Sequence, residues 1–305
     1  TERLYISWKP NSMGNLTTKA GDEQMLGAVF AIWHDCIDTR ANGISEYDSF
    51  DRFFDAALLV AARLWGETED RTWSEFTEEI KKTGTAPNTN MYYEVDSATK
   101  TILKYNFDGE LEKDDSANGY DATEKVNVTQ SPNGEGGKAL RLAGGESYLT
   151  TPVDKVGPEN SLTVRLKMDA NATGEQIICE SWKPFGETYG TYSVKARQKG
   201  TGKVGYSREG YDYSFNYTLP ENEWVELTIK GNQNTAELWV NGSLADKLDT
   251  TTIRGTIYKV NTLVMPVGRI GSTTDSFKGE IDFIKVDGKK EIKEDPSVTV
   301  TRNFL

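Results

Sequence analysis

The spacing of hydrophobic residues changes near residue 96 and divides the chain into two parts. Residues 162–168 (Leu-Thr-Val-Arg-Leu-Lys-Met) alternate strictly between apolar and polar side chains, and residues 224–229 and 281–286 alternate more loosely. The dipeptide Asn241-Gly242 after an apolar run is a strong signal for a two-residue hairpin. Many short strands with Gly, Asn and Asp turns predict an antiparallel β-sandwich, or jelly roll, over residues 96–290.

Residues 1–82 show a different pattern, with a mixture of α and β signals. The apolar run over residues 25–33 is typical of a strand buried on both faces, as in a parallel sheet. Ser45 and Asp48 fit a capping box, and the apolar spacing after them predicts a helix over about residues 46–65. A second helix is predicted to begin at Thr72 and to stop at Gly84.

One strand and two helices cannot bury a hydrophobic core by themselves. A strand–loop–helix unit needs parallel neighbours, and a complete (β/α)8 barrel takes about 250 residues. We therefore predict that residues 1–82 are the last β/α unit of a TIM barrel whose earlier part is missing from this chain. The turn-rich residues 83–95 are predicted to be a linker, and residues 291–305 a polar tail or a linker to a further domain.

Charge and composition limit the partners. The 305 residues include 35 Lys and Arg against 47 Asp and Glu, which gives a net charge of −12. Nucleic acids and anionic membrane surfaces are not expected as partners of such a chain, because both are bound by basic surfaces. The longest apolar run is shorter than the ~20 residues that span a bilayer, so no membrane insertion is expected. Cys36 and Cys179 fall in different predicted domains, which rules out a disulfide framework.

Several strings in the first part resemble the end of the barrel of family 20 glycoside hydrolases. They are residues 26–35 (Leu-Gly-Ala-Val-Phe-Ala-Ile-Trp-His-Asp), residues 43–54, residues 62–66 and, after the position of the seventh strand, residues 4–11. The family contains β-N-acetylhexosaminidases and lacto-N-biosidases. The resemblance implies that the parent protein removes terminal β-linked N-acetylhexosamine, or lacto-N-biose, by substrate-assisted hydrolysis without a cofactor.

The same resemblance assigns substrate-binding residues at the end of the predicted strand. It implies that Trp33 lines the pocket of the N-acetylated sugar and that Asp35 accepts hydrogen bonds from a sugar hydroxyl. His34 lies between them and is the third candidate; as the single histidine it excludes a multi-His metal site. Without the family, Trp33 is more typical of a core aromatic, Asp35 of a cap and His34 of a loop residue.

The chain is expected to contain no catalytic residue. The family's catalytic Asp-Glu pair lies near the fourth barrel strand, upstream of these residues. The single Asp-Glu dipeptide, Asp22-Glu23, precedes the predicted strand and would lie on the wrong end of a barrel for catalysis. The fragment alone is therefore expected to be inactive, whereas the parent protein would be a glycosidase with an upstream barrel half as its partner.

The second part resembles a laminin-G-like, concanavalin A-type jelly roll. The resemblance is carried, in order, by residues 103–108, 115–122, 137–142, 238–242 and 277–283. Such modules accompany many secreted glycosidases, in which some bind glycans and others are spacers. The resemblance implies an extracellular or cell-surface protein that meets N-acetylhexosamine-containing glycans. The alternative functions are a non-catalytic carbohydrate-binding or spacer module and, more remotely, a degenerate barrel kept as an interaction scaffold.

Two features of the sandwich are candidate sites. Tyr211, Tyr213 and Tyr217 would share one strand face with Phe215, and such a row suits stacking on sugars. The alternative is that this face packs in the core or against another domain.

The second candidate is a structural calcium ion. Related jelly rolls often join the first and last strands with one ion, and Ca²⁺ takes six to eight oxygen ligands. Asp108, the carbonyl of Gly119, and Asp282 are the positions that could converge on it. The alternative is that these residues lie in solvated turns.

Overall fold

The structure is a computed structural model. It describes residues 2–32, 46–65, 71–84, 86, 89–133, 135–181, 192–208, 211–232, 235–253, 256–260 and 263–289. The chain divides into two compact units, Thr1–Tyr92 and Tyr93–Leu305. No helix in the described part of the chain is both long enough and apolar enough to cross a membrane.

The first unit contains helices and a very short hairpin. The helices are α1 (Glu2–Ser7), α2 (Glu46–Leu64) and α3 (Trp73–Thr83), and the hairpin joins β1 (Ser12–Met13) to β2 (Leu16–Thr17). The two longer helices agree with the sequence prediction. At the start of α3, Thr72 Oγ1 accepts from the amide of Glu75, whose carboxylate accepts from the amide of Thr72, so a complete capping box begins the helix. The core of the unit is Tyr5, Leu59, Phe76 and Ile80.

The prediction of a barrel strand over residues 25–33 is wrong for the residues that the structure describes. Residues 25–32 form no strand, and Leu26 and Val29 are 95% and 97% exposed. An apolar strand of this kind needs a hydrogen-bonded neighbour on each side and cover on each face. The described residues of the first unit offer only β1 and β2 as strands, so they contain no TIM-barrel unit.

The second unit is an antiparallel β-sandwich of jelly-roll type, as the alternating pattern predicted. Its strands are β3 (Thr101–Tyr105), β4 (Glu124–Val126), β5 (Val128–Pro132), β6 (Lys138–Thr150), β7 (Lys155–Val156), β8 (Asn160–Met168), β9 (Gln176–Ser181), β10 (Tyr192–Arg197), β11 (Gly205–Arg208), β12 (Tyr211–Ser214), β13 (Trp224–Asn232), β14 (Thr235–Val240), β15 (Ser243–Leu248), β16 (Thr250–Ile253), β17 (Thr256–Lys259), β18 (Met265–Pro266) and β19 (Arg269–Asp287).

The long strands β6 and β19 are shared by two layers. Their pairing runs to Ser272 opposite Ser147, is interrupted by a bulge, and resumes at Ser276 opposite Gly145. On one side of the bulge β19 continues the first layer, which contains β4, β9, β10, β11 and β12. On the other side it pairs with β3 and β8, and the second layer continues through β13, β14 and β15. Bulges bend strands, which lets one continuous sheet curl into two layers.

The hydrophobic core lies between these layers. In the first layer the register aligns one apolar row across six strands, formed by Leu149, Ile270, Cys179, Val194, Tyr206 and Tyr213. None of these side chains is more than 6% exposed. In the second layer, alternate residues of β8 and β13 are buried in the same way. The alternation read from the sequence therefore marks which face of each strand meets the core.

Candidate functional site

The two layers differ in their outer faces, which are directed away from the core. In the second layer, β8 and β13 alternate between buried and half-buried residues, which is the usual pattern of a sheet with one face toward water. In the first layer, every residue of β9 and β11 is buried, and so are five of the six residues of β10. Over β9, β10 and β11 the outer face of the first layer is therefore buried although it is not apolar.

Strand register places a row of polar side chains on this outer face, buried near its centre and exposed at both ends. We call it the polar row, and its members from one edge to the other are Glu124, Thr150, Arg269, Glu180, Ser193, Ser207 and Asp212. Each member of the row is adjacent in the sequence to a residue whose side chain points to the other face of the first layer. Because successive side chains of a strand point to opposite faces, the row faces away from the core. Polar side chains that are buried must find hydrogen-bond partners.

Glu180 is the most enclosed charged group of the row. It is 3% exposed, and its carboxylate accepts hydrogen bonds from Ser272 Oγ at 2.9 Å and from the amide of Thr273 at 3.2 Å. Nη1 of Arg269 lies 3.4 Å from the same carboxylate. Ser272 and Thr273 belong to the bulge of β19, so one carboxylate fixes both the bulge and the arginine.

Only some of the hydrogen-bond donors of Arg269 have partners among the described residues. Its guanidinium lies over the ring of Tyr148, with its central carbon 5.2 Å from the ring centroid. Tyr148 is on the same face, because it is two residues from Thr150 on β6. Nε of Arg269 is buried and has no hydrogen-bond acceptor among the described residues, a situation that costs about 1–3 kcal/mol. The side chain as a whole is 29% exposed.

A second cation lies toward the other edge of the layer. The side chain of Lys195 is almost completely buried, and its Nζ is 3.1 Å from Oδ1 of Asp212. Lys195 also forms an ion pair with Glu175, and Asp212 accepts a hydrogen bond from Ser207. The outer face thus alternates cationic donors with carboxylate acceptors.

The tyrosines predicted to bind glycan are not gathered on this face. Tyr213 is 6% exposed and its ring centroid is 4.9 Å from that of Tyr206, which favours the alternative of core packing for this residue. Phe215 is fully buried. Tyr217 is half-buried; burial first, and the charge of Glu223 second, raise the pKa of its hydroxyl. Glycan binding by Tyr217 stays a prediction.

Four other candidate residues lie outside what the structure describes. They are Trp33, His34 and Asp35, and the side chain of Tyr211. The substrate pocket implied by the family 20 resemblance therefore stays a prediction.

The structure separates the three residues of the predicted calcium site. Asp108 and Asp282 both lie beside Asn133: Asp282 accepts from Asn133 Nδ2 at 2.6 Å, and a Cβ on Gly137 would approach Asp108 and Asn133 together. Gly119 belongs to the turn whose Asn118 donates to the carbonyls at the start of β3, whereas Asp108 follows the end of that strand.

The two carboxylates of this group already have donors. Asp282 also accepts from Arg165 Nη1 at 2.8 Å, and Asp108 accepts from the amide of Lys138 at 2.9 Å. Among the described residues there is no group of three or more His, Cys, Asp or Glu arranged to hold a metal. Calcium binding therefore stays a prediction, and a competing cation would have to displace Arg165.

Sequence reasoning missed the polar row. Its members are spread over residues 124–269 and come together only through strand register, which short-range patterns do not reveal. The available signal was local: Glu180 and Lys195 are charged residues inside otherwise strand-like segments.

Comparison with known proteins addresses the second unit. Residues 143–289 match the family model of the concanavalin A-like lectin/glucanases superfamily. No curated protein sequence matches the chain. Nothing among the matches supports the resemblance of the first part to family 20 glycoside hydrolases.

Two solved structures illustrate the structural similarity. Domain 4 of AbnA, a GH43 extracellular arabinanase from Geobacillus stearothermophilus in complex with arabinotriose, is 19% identical, with a TM-score of 0.47; the match covers 62% of this chain and 93% of that chain. Trypanosoma rangeli sialidase is 13% identical with a TM-score of 0.40, and the match covers 62% of this chain and 30% of that chain. Residues 143–289 of the second unit are thus similar to a concanavalin A-like lectin/glucanase domain.

Proposed function

We propose that this chain acts as a non-catalytic carbohydrate-binding module and that the glycan binds to the outer face of the first layer. The single observation that supports this most strongly is the polar row, in which the half-buried cation Arg269 and the exposed carboxylates Glu124 and Asp212 lie on one face.

The chemistry of the row fits a polyhydroxylated ligand. Every sugar hydroxyl can donate one hydrogen bond and accept others, so it is best recognised by donors and acceptors placed side by side. Arg269 of the row and Lys195 on the same face supply charged donors, Glu180 and Asp212 supply charged acceptors, and hydrogen bonds to charged groups are the stronger ones. Tyr148 is 8% exposed and its ring carries the guanidinium of Arg269, so it positions this donor.

Hydrolysis is not part of this proposal. A hexosaminidase activity would rest on the resemblance of residues 3–66 alone, and its predicted binding residues lie outside the described part of the chain. N-acetylhexosamine is therefore included as one ligand to be tested. An extracellular or cell-surface location is consistent with a glycan-binding module and is proposed with it.

The test is isothermal titration calorimetry of the full 305-residue chain with a panel of oligosaccharides. The panel contains triacetylchitotriose, lacto-N-tetraose, cellotriose, xylotriose and trigalacturonate. We expect at least one to bind, and Arg269→Ala to weaken that binding at least tenfold.

The matched control is Arg141→Ala. Arg141 lies on β6 and, like Arg269 on β19, is paired with one carboxylate, that of Asp169. Its side chain is 31% exposed, against 29% for Arg269. Its register position beside Glu280 places it in the second layer. Equal loss of binding in both variants, or no binding by any oligosaccharide, would contradict the proposal.

A further inference from the structure

One segment of the first unit exposes its backbone and its apolar side chains together. Residues 25–32 (Met-Leu-Gly-Ala-Val-Phe-Ala-Ile) carry no charge, and Leu26 and Val29 are 95% and 97% exposed. The amide and carbonyl groups of residues 26–32 make no backbone hydrogen bond to any other described residue. Backbone groups of this kind can pair with another strand, and the pairing would also remove the apolar side chains from water.

This exposure is confined almost entirely to the first unit. Among the described residues, ten large hydrophobic side chains are exposed; nine belong to the first unit and one, Leu244, to the second. Single exposed apolar residues need no explanation, but a continuous apolar segment with unpaired backbone is a site for pairing with another chain. The ring centroid of Phe30 lies 6.1 Å from that of Phe53 on α2, so the segment packs on that helix.

The composition of the segment specifies its partner. A strand that pairs with it must be apolar and uncharged, because an opposing charge would lose its water without gaining an ion partner. Residues 25–32 meet this requirement themselves, and no other apolar run of this length is exposed in the described part of the chain. We propose that residues 25–32 pair with the same residues of a second copy of this chain, as antiparallel strands of a two-fold dimer.

A two-fold axis determines which residues meet. With the axis at Ala28, Gly27 lies opposite Val29 and Leu26 lies opposite Phe30, so every pair is apolar. The eight residues span about 26 Å when extended. The contact is isologous, since each copy contributes the same surface, and an isologous contact closes at two copies. An interface built around one pair of strands is at the low end of the usual size range, so the dimer should be weak.

The salt dependence distinguishes this contact from one held by ion pairs. The chain carries a net charge of −12, so two copies repel each other, and residues 25–32 contain no charge that offers an ion pair in return. Salt screens the repulsion over distances beyond about 8 Å at physiological ionic strength. The dimer should therefore become tighter as salt is raised, whereas a dimer held by ion pairs would become weaker.

Sedimentation velocity of the full 305-residue chain tests the proposal. Between about 1 and about 100 μM we expect the mass to rise from that of one chain to that of two, as for a small interface. The amides of residues 25–32 that face the second copy should exchange hydrogen at least tenfold more slowly at the higher concentration, because pairing protects them. Raising NaCl from about 0.05 to about 0.5 M should strengthen the dimer.

The decisive variant is Val29→Asp, which places a carboxylate next to the centre of the paired strands. We expect self-association to weaken at least tenfold, since each copy would have to bury this charge without a partner. Leu244→Asp is the matched control: it adds the same charge at a leucine of the second unit that is 51% exposed, and it should leave the dimer unchanged. Near-ultraviolet circular dichroism of both variants establishes that the fold is retained.

The other outcomes overturn the proposal. A chain that stays monomeric at about 100 μM would exclude the second copy as the partner and leave a strand of a different polypeptide as the alternative. A dimer that persists in Val29→Asp, weakens with salt, or leaves the exchange of residues 25–32 unchanged would show that another surface forms the contact. Masses beyond two copies would show that the contact does not close. The oligosaccharide titration tests glycan binding separately from all of these results.

Discussion

Arg269 lies directly opposite Glu180 on the neighbouring strand, with its Nη1 atom 3.4 Å from a carboxylate that is 3% exposed. The next pair along the same strands, Ile270 and Cys179, faces the core. A slip of one residue in this register would turn the core residues outward and the charged pair inward. The register of β9 against β19 therefore preserves both faces.

The first prediction concerns Gly271, which lies just before the bulge of β19 between Ser272 and Ser276. Gly271 has φ of +94°, and a Cβ there would clash with the carbonyl oxygen of Ser147 and approach Ser276 Oγ to 2.9 Å. Gly271→Ala should lower the free energy of unfolding by more than ~3 kcal/mol, because strain in the left-handed region and overpacking add together. Urea denaturation monitored by tryptophan fluorescence measures this change.

Gly145 provides the control for Gly271. It also has positive φ, +60°, but a Cβ there would meet nothing within 4 Å. Gly145→Ala should therefore cost about 1–2 kcal/mol, from backbone strain alone. Equal costs at the two positions would show that the close approach at Gly271 is unimportant.

The second prediction concerns the buried carboxylate itself. Glu180→Ala removes the acceptor for Ser272 Oγ, the Thr273 amide and Arg269, and it should destabilise the protein by about 2–4 kcal/mol. Glu226→Ala, on the half-buried face of β13, should change stability by less than about 0.5 kcal/mol. Chemical denaturation of both variants tests this, and a cost for Glu180→Ala below 1 kcal/mol would contradict the role given to the carboxylate.

Local signals in the sequence predicted the elements that depend on local physics. Strict alternation over residues 162–168 predicted β8, and Asn241-Gly242 predicted the turn between β14 and β15, where both residues have positive φ. The two longer helices followed from apolar spacing and from end signals such as Gly84. In each case the residues that determine the structure are close together in the sequence.

The sequence could not predict features that depend on distant partners. An apolar run such as residues 25–32 is compatible with a buried strand, but it becomes one only if other strands pair with it, and the described residues provide none. The polar row also depends on partners that are distant in the sequence. Glu180 and Arg269 are 89 residues apart, and only the register of β9 against β19 places them together.

The third prediction separates two tyrosines that the sequence grouped together. Tyr213 stacks on Tyr206 in the core, so Tyr213→Ala should cost about 3–5 kcal/mol, as for other large aromatic residues in cores. Tyr217 is half-buried, and Tyr217→Ala should cost less than about 1.5 kcal/mol. Thermal unfolding of both variants measures the difference. If Tyr217→Ala proves as costly as Tyr213→Ala, the two share the core.

The fourth prediction concerns the capping box of α3. Thr72→Ala removes the side-chain acceptor for the Glu75 amide and should destabilise the helix by about 1 kcal/mol. Faster hydrogen exchange of the α3 amides would report this, because helix ends open locally. Thr77→Ala is the control: its hydroxyl donates to the Ser74 carbonyl inside the helix, where alanine is the better helix former. Faster exchange in Thr77→Ala as well would contradict the capping explanation.

The fifth prediction concerns pH and the ion pair of Arg141 with Asp169. Arg141 Nη1 donates to Asp169 Oδ1 at 2.7 Å, and this hydrogen bonding, followed by the charge of Arg141, holds the pKa of Asp169 below its ordinary value. A carboxyl group whose pKa is lowered by folding stabilises the protein above its unfolded pKa, about 3.9, and this stabilisation is lost as pH falls through the folded pKa. The pair should therefore contribute at pH 7 and cease to contribute in acid.

Asp169→Asn tests this without removing the side chain. The difference in unfolding free energy between wild type and Asp169→Asn should be constant from pH 7 to about pH 5 and should shrink as the pH falls below 4. In an Arg141→Ala background the difference should be smaller at pH 7 and should depend less on pH, since the lowered pKa has lost its main cause. Urea denaturation of the four proteins at several pH values completes this double-mutant cycle. If the difference in unfolding free energy between wild type and Asp169→Asn stays the same down to pH 2.5, the ion pair does not stabilise the fold.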